Sequence, residues 1–93
     1  MFSGVVPKDQ EAIFQIRAYL ATMIIERIRE IGITQKEAAK RSGVAQPRIS
    51  EIKKSKIDKF SVESLLRICH NLGIFIEVNA GFQALDLTIK VER

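Results

Sequence analysis

The sequence predicts a mainly α-helical chain finished by a small β-element, and three observations carry this. Apolar residues recur at three- and four-residue steps from Ile13 to Ile31 and again from Val62 to Leu72, which is helical periodicity. Between those stretches stand two short helical segments separated by Gly43, the arrangement of a helix-turn-helix. From Ile74 onward the apolar period changes to two, the signature of strands with one buried face.

At 93 residues the expectation is a single domain covering 1–93. It divides into an N-terminal tail (1–8), a helical region (9–73) and a β-element (74–93) suited to dimerisation. With 46% hydrophobic residues the chain can bury a core without staples. No run of about 18 apolar residues exists, so no membrane span is expected. The opening MFSGVVPKDQ lacks a basic segment followed by an apolar core, so no signal peptide is expected. A lone cysteine, Cys69, cannot form an internal disulfide and fits a reducing cytoplasm.

Taken in order, residues 1–8 carry Gly4 and Pro7 without periodicity and are read as a tail. Asp9 is placed to cap a long helix from about Gln10 to Glu30, whose stripe is Ile13, Ile16, Leu20, Ile24, Ile28 and Ile31. Its first half carries more apolar surface than a small core needs, which suggests a partner there. Gly32 ends it. Thr34 and Glu37 then form a capping-box pattern, flanked by Ile33 and Ala38 as a hydrophobic staple. That helix stops at Ser42-Gly43, where glycine accepts the left-handed conformation. Val44 plugs the space before a second short helix beginning near Gln46, with Pro47 tolerated in its first turn. Ile49 and Ile52 share one face of it and Arg48, Ser50, Glu51, Lys53 and Lys54 lie elsewhere. The second helix of such a motif is the one that enters the DNA major groove.

After a basic connection, Ser61 caps a further helix with Phe60 stapling onto Leu65. Its buried face reads as Val62, Leu65, Leu66, Cys69 and Leu72. Two alternating runs follow: Ile74, Ile76 and Val78, then Leu85, Leu87, Ile89 and Val91. Two strands alone are marginal in water, so they must pack on the helices or pair with another chain. Whether they pair with each other or across a dimer is open at this level.

Charge points the same way as the motif. Between Thr34 and Lys59 eight basic residues face three acidic ones, giving +5, while the rest of the chain carries −1. A positive cluster on the helix-turn-helix is the footprint of a phosphate-binding surface. No catalytic constellation emerges: the single histidine, His70, adjoins Cys69 in a spacing that makes no metal site, and no glycine-rich phosphate loop exists. Neither catalytic nor metal-ligating residues nor a cofactor are expected.

The segments Thr34-Gln35-x-Glu37-Ala38-Ala39, Ser42-Gly43-Val44-x-Gln46-Pro47-Arg48-Ile49-Ser50 and Ile57-Asp58-Lys59-Phe60-Ser61, with Leu65-Leu66 and Leu72-Gly73, resemble the Cro/repressor-like (XRE) helix-turn-helix family. More narrowly, they are similar to its HigA-type antitoxin branch. The resemblance covers about residues 13–79 and implies a lambda-repressor-like helical bundle with a C-terminal β-strand or hairpin. It implies homodimers on palindromic operators, repressing transcription, often at the protein's own promoter. For antitoxin members it further implies binding of a RelE-like toxin.

Carried over by residue, base contacts are expected from Gln46, Pro47, Arg48, Ser50 and Glu51, and phosphate contacts from Gln35, Lys36, Lys53, Lys54 and Lys56. A dimer interface is expected at Ile76, Val78, Leu85, Leu87, Ile89 and Val91. The implied location is the cytoplasm, at the nucleoid when DNA is bound. Three departures stand out. Ala45 replaces the usual Ser or Thr cap, leaving one recognition-helix N–H without its usual partner. Pro47 replaces a glutamine that reads bases in some relatives. Glu51 either accepts from cytosine or weakens binding by repelling phosphate. The rival reading is a protein-interaction module that neutralises a toxin or binds another partner, its DNA binding vestigial.

Overall fold

The computed structural model describes the backbone of residues 5–80 and 85–91 and the side chains of residues 11–76. Four helices precede a β-hairpin: α1 (Val5–Ile31), α2 (Gln35–Ser42), α3 (Gln46–Lys53), α4 (Val62–Asn71), β1 (Ile74–Ala80) and β2 (Leu85–Val91). This is the mainly helical class expected from the sequence.

Helix α1 is longer than its periodicity suggested. It begins at Val5, not near Gln10, so residues 5–8 are not a tail and Asp9 is not an N-cap. Pro7 explains the difference: within the first turn no intrahelical N–H is needed, so proline does not mark a boundary there. Residues 1–4 lie outside the described residues. At the other end Gly32 takes φ 72°, and the N–H groups of Gly32 and Ile33 both donate to the Ile28 carbonyl, at 3.1 and 3.3 Å. The helix therefore closes on itself before Ile33 turns back toward the core.

The core gathers under the helix-turn-helix. Leu20, Ala21 and Ile24 of α1 meet Ala38 and Ala39 of α2, Ile49 and Ile52 of α3, and Leu65, Ile68 and Cys69 of α4. Ile57 and Phe60 from the α3–α4 connection, Leu72 and Ile74 complete it. Leu66 was expected inside and is exposed, whereas Ile68 is buried. Both fit a three- or four-residue step from neighbours on the stripe, and packing against α1 chooses between them. Arg27 fastens α1 to the end of α4: its Nε donates to the Leu72 carbonyl at 2.8 Å, and the same side chain pairs with Glu30 at 2.9 Å.

The fully buried core residues of α1 are Leu20, Ala21 and Ile24, with Ile16 and Ala18 packed partly against them. Ile13, Phe14 and Tyr19 are exposed. At 1.5 Å per residue, 27 residues run to about 40 Å, and Ile13 and Phe14 lie on the part of it before the core contacts begin at Ile16. The two strands pair with each other, antiparallel, with Ile74 opposite Val91, Ile76 opposite Ile89 and Val78 opposite Leu87. The hairpin is thus formed within one chain, which decides what periodicity left open. Ile74 is buried and Ile76 half-buried against the chain's own core. The side chains of Val78, Leu85, Leu87, Ile89 and Val91 lie outside the described residues.

Candidate nucleic-acid interface

Helices α2 and α3 are positioned by local chemistry at three points. Thr34 is extended (φ −81°, ψ 167°) and its Oγ1 accepts from the Glu37 N–H at 3.0 Å, so the helix is capped as its sequence dictates. The reciprocal half of the capping box is replaced: Glu37 Oε2 accepts from Arg41 Nε at 3.2 Å, one turn on. Gly43 then takes φ 70°, and the Val44 N–H donates to the Ala39 carbonyl at 3.0 Å. A Cβ at Gly43 meets nothing within 4 Å, so its requirement is backbone conformation, not space.

Helix α3 starts without a side-chain cap, and the structure shows how it manages. A capping oxygen ordinarily serves the N–H of the second or third helical residue. Here the second is Pro47, which has no N–H, and the third, Arg48, donates its N–H to the Ala45 carbonyl at 2.9 Å. The donor that Ala45 was expected to leave without a partner is therefore satisfied. The far end closes through Ser55, which holds φ 63° while the Lys56 N–H donates to the Glu51 carbonyl at 2.9 Å.

With Ile49 and Ile52 buried, the turn of about 100° per residue fixes what α3 offers outward. Pro47, Ser50 and Lys54 lie opposite the buried pair, with Glu51 beside them. Gln46 and Lys53 flank this stripe on the α1 side, where Lys53 and Gln35 border one crevice with Ile25, Ile28 and Ile49. Gln46, Pro47, Lys53 and Lys54 are exposed, as are Lys36 on α2 and Lys56 just after α3, while Gln35, Ser50 and Glu51 are half-buried. Of the residues singled out from the sequence, Pro47, Ser50, Glu51 and Lys54 thus lie on the outward side of α3, Gln46, Lys53 and Gln35 lie toward one flank, and Lys36 and Lys56 are exposed on α2 and just after α3.

Arg48 sits differently from its neighbours. Its guanidinium carbon lies 4.2 Å from the centroid of the Phe60 ring, and Nη1 is 3.4 Å from Glu51 Oε1. Lys59 Nζ approaches the other carboxylate oxygen, Glu51 Oε2, at 3.7 Å. Sequence reasoning missed this cluster, because Phe60 is twelve positions from Arg48 and periodicity reports only neighbours on one element.

Other expected roles find simple places. Cys69 is fully buried, and burial pushes its thiol up to about 12 from an ordinary value near 9. His70 is an exposed side chain with its ring edge-on to Phe75, centroids 5.2 Å apart. Among the described residues no cluster of His, Cys, Asp and Glu is disposed to hold a metal ion, and no helix is long and apolar enough to cross a membrane.

Comparison with known proteins agrees with this geometry. A solved chain assigned as an XRE family transcriptional regulator superposes with a TM-score of 0.72 at 28% sequence identity, over 76% of this chain and 80% of that one. No curated protein sequence shows significant similarity. The model of the helix-turn-helix domain family matches residues 6–81, a span that takes in all four helices and β1, and the chain belongs to that family.

Proposed function

We propose that this protein is a sequence-specific DNA-binding transcriptional regulator, a non-enzymatic repressor that places α3 in the major groove. The observation that carries the reading is the outward face of α3 on its apolar anchor. A polar stripe, exposed at Gln46 and Pro47 and half-buried at Ser50 and Glu51, is accompanied by the exposed Lys36, Lys53, Lys54 and Lys56, while Ile49 and Ile52 anchor the helix from beneath. A groove-reading helix needs a polar face for base edges and cations at its margin for phosphates. Kinship with the helix-turn-helix family, and similarity to a chain assigned as a transcriptional regulator, support the same conclusion.

One recognition helix covers a few base pairs, so the regulator acts as a homodimer on an inverted repeat, its half-sites about 34 Å apart. The hairpin and the first half of α1 form the dimer contact. Ile13 and Phe14, exposed on that half, and Tyr19, exposed just beyond it, favour it. The finer role is that of an autoregulating antitoxin, acting in the cytoplasm, and it rests on the segment Ile57-Asp58-Lys59-Phe60-Ser61 that resembles the antitoxin branch. The same exposed α1 residues also favour the alternative reading, a module that docks a protein partner such as a toxin.

The deciding experiment measures binding to the duplex upstream of the protein's own gene against a scrambled duplex of equal length. Tight binding to the native duplex alone supports the regulator. Equal weak binding to both refutes it and leaves the protein-interaction module standing.

A further inference from the structure

We infer that Glu51 is the residue that sets base preference at one position of each half-site, selecting cytosine, and that Arg48, Lys59 and Phe60 act by holding it there. This inference rests on the DNA-binding reading above and names the specificity-determining contact within it.

The cluster on the α4 side of α3 has a definite construction. Phe60 is buried at the base of the α3–α4 connection and carries the Arg48 guanidinium on its ring face at 4.2 Å. From that position Arg48 Nη1 reaches one oxygen of Glu51 at 3.4 Å, and Lys59, the residue before Phe60, reaches the other at 3.7 Å. Arg48 and Glu51 are three residues apart on one helix, so their facing is set by helical geometry. Lys59 and Phe60 come from outside it. The carboxylate is therefore approached by cations from two directions, which favours this position over the others open to an isolated glutamate on a helix surface.

Two consequences follow from charge and hydrogen-bond chemistry. First, a bare carboxylate near a DNA backbone is repelled, but here one negative charge is bracketed by two positive ones. The local sum is positive, so Glu51 does not oppose docking. Second, an ionised carboxylate has about four acceptor positions and no donor. One cation at each oxygen leaves acceptor positions on both.

In the major groove an acceptor is answered by an exocyclic amine. Guanine shows acceptors at O6 and N7, and thymine an acceptor at O4. Adenine sets its amine beside the N7 acceptor, whereas cytosine offers its N4 amine without an adjoining acceptor of its own. Of the four bases cytosine answers Glu51 best. Arg48 is meanwhile drawn away from the role its type suggests, since a guanidinium stacked on Phe60 and paired to Glu51 is not extended toward guanine. It is a positioning residue.

The test is selection from a pool of duplexes with a randomised centre, using the full-length protein. The wild type is expected to enrich a C·G pair at one position per half-site. Glu51→Gln is expected to lose that preference roughly ten- to a hundredfold, or to move it to adenine, which glutamine pairs bidentately, with all other positions unchanged. Lys59→Met, at an exposed side chain whose loss leaves the core intact, is expected to broaden the same position alone, as is Arg48→Met if it melts as a folded protein.

Unchanged enrichment by Glu51→Gln overturns the inference while leaving the regulator intact. Relaxation at a different, guanine-bearing position in Arg48→Met makes Arg48 a reader and overturns its positioning role. Enrichment of no sequence by the wild type removes the DNA-reading function itself, and the inference with it.

Discussion

The salt dependence of DNA binding can be worked from the surface of α2 and α3. Lys36, Lys53, Lys54 and Lys56 are exposed ammonium groups on α2, on α3 and just after it. If each neutralises one phosphate, a protomer releases about four counterions, and log K falls against log salt with a slope of about −3.6. Between 50 and 200 mM salt this is a loss of about 150-fold for one protomer on DNA. Two protomers on an inverted repeat double the slope to about −7 and raise the loss to about 2 × 10⁴-fold. One titration, followed by fluorescence anisotropy of a labelled duplex at five or six salt concentrations, thus tests the phosphate contacts and the stoichiometry together. Lys54→Ala is expected to reduce the slope by about 0.9 per bound protomer without changing which sequence is preferred. A slope shallower than about −1 would refute the placement of these lysines against phosphates.

Three further outcomes concern the fold that carries the interface. Arg27→Met removes the donor at 2.8 Å from the buried Leu72 carbonyl and is expected to cost about 1–3 kcal/mol in urea unfolding; a loss below about 0.5 kcal/mol would show that the tether between α1 and α4 is replaceable. Ser55 holds φ 63°, where an L-residue is strained by about 1–2 kcal/mol, and glycine gives back part of that gain through its freer unfolded chain. Ser55→Gly is therefore expected to raise Tm by several degrees, and an unchanged or lowered Tm contradicts the strain argument. Burial raises the Cys69 thiol to about 12 in the folded state, from about 9 when exposed. Because the folded value lies above the unfolded one, its contribution is complete below pH 9 and is lost as the pH climbs toward 12. Wild type is expected to lose stability faster than Cys69→Ala across that window, and parallel curves would count against a desolvated thiol.

The helix-turn-helix was legible because its signals are local. A capping threonine, a glycine in the left-handed region and two isoleucines on one face each constrain only a few neighbouring residues, and each is found where the pattern placed it. The start of α1 was misplaced because Pro7 and Asp9 signal a helix start equally well one turn inside it. The buried face of α4 was ambiguous at Leu66 and Ile68, where only the packing of α1 decides. The hairpin's strands could be read from their period, but their partner could not, since alternation is the same whether a strand pairs within its chain or outside it. The grip on Glu51 was invisible for a related reason: Arg48, Glu51, Lys59 and Phe60 are ordinary residues in sequence and become a unit only when the connection folds back over α3.

A helix as short as α3 holds its place only through its neighbours. Helix α3 has eight residues, a proline in its first turn and no side-chain cap. Isolated helices shorter than about 12 residues are marginal in water even with favourable composition, so α3 owes its existence to tertiary contacts. Ile49 and Ile52 supply the burial that holds its inner side, and Phe60 with Arg48 supplies a second point of attachment on its flank. Two attachments fix rotation about the helix axis as well as position, and rotation decides which side chains reach base edges. A change at Phe60, buried beneath Arg48, would turn the outward stripe of Pro47, Ser50 and Glu51. The packing of the α3–α4 connection therefore sets the rotation of the stripe that the proposed function turns toward DNA.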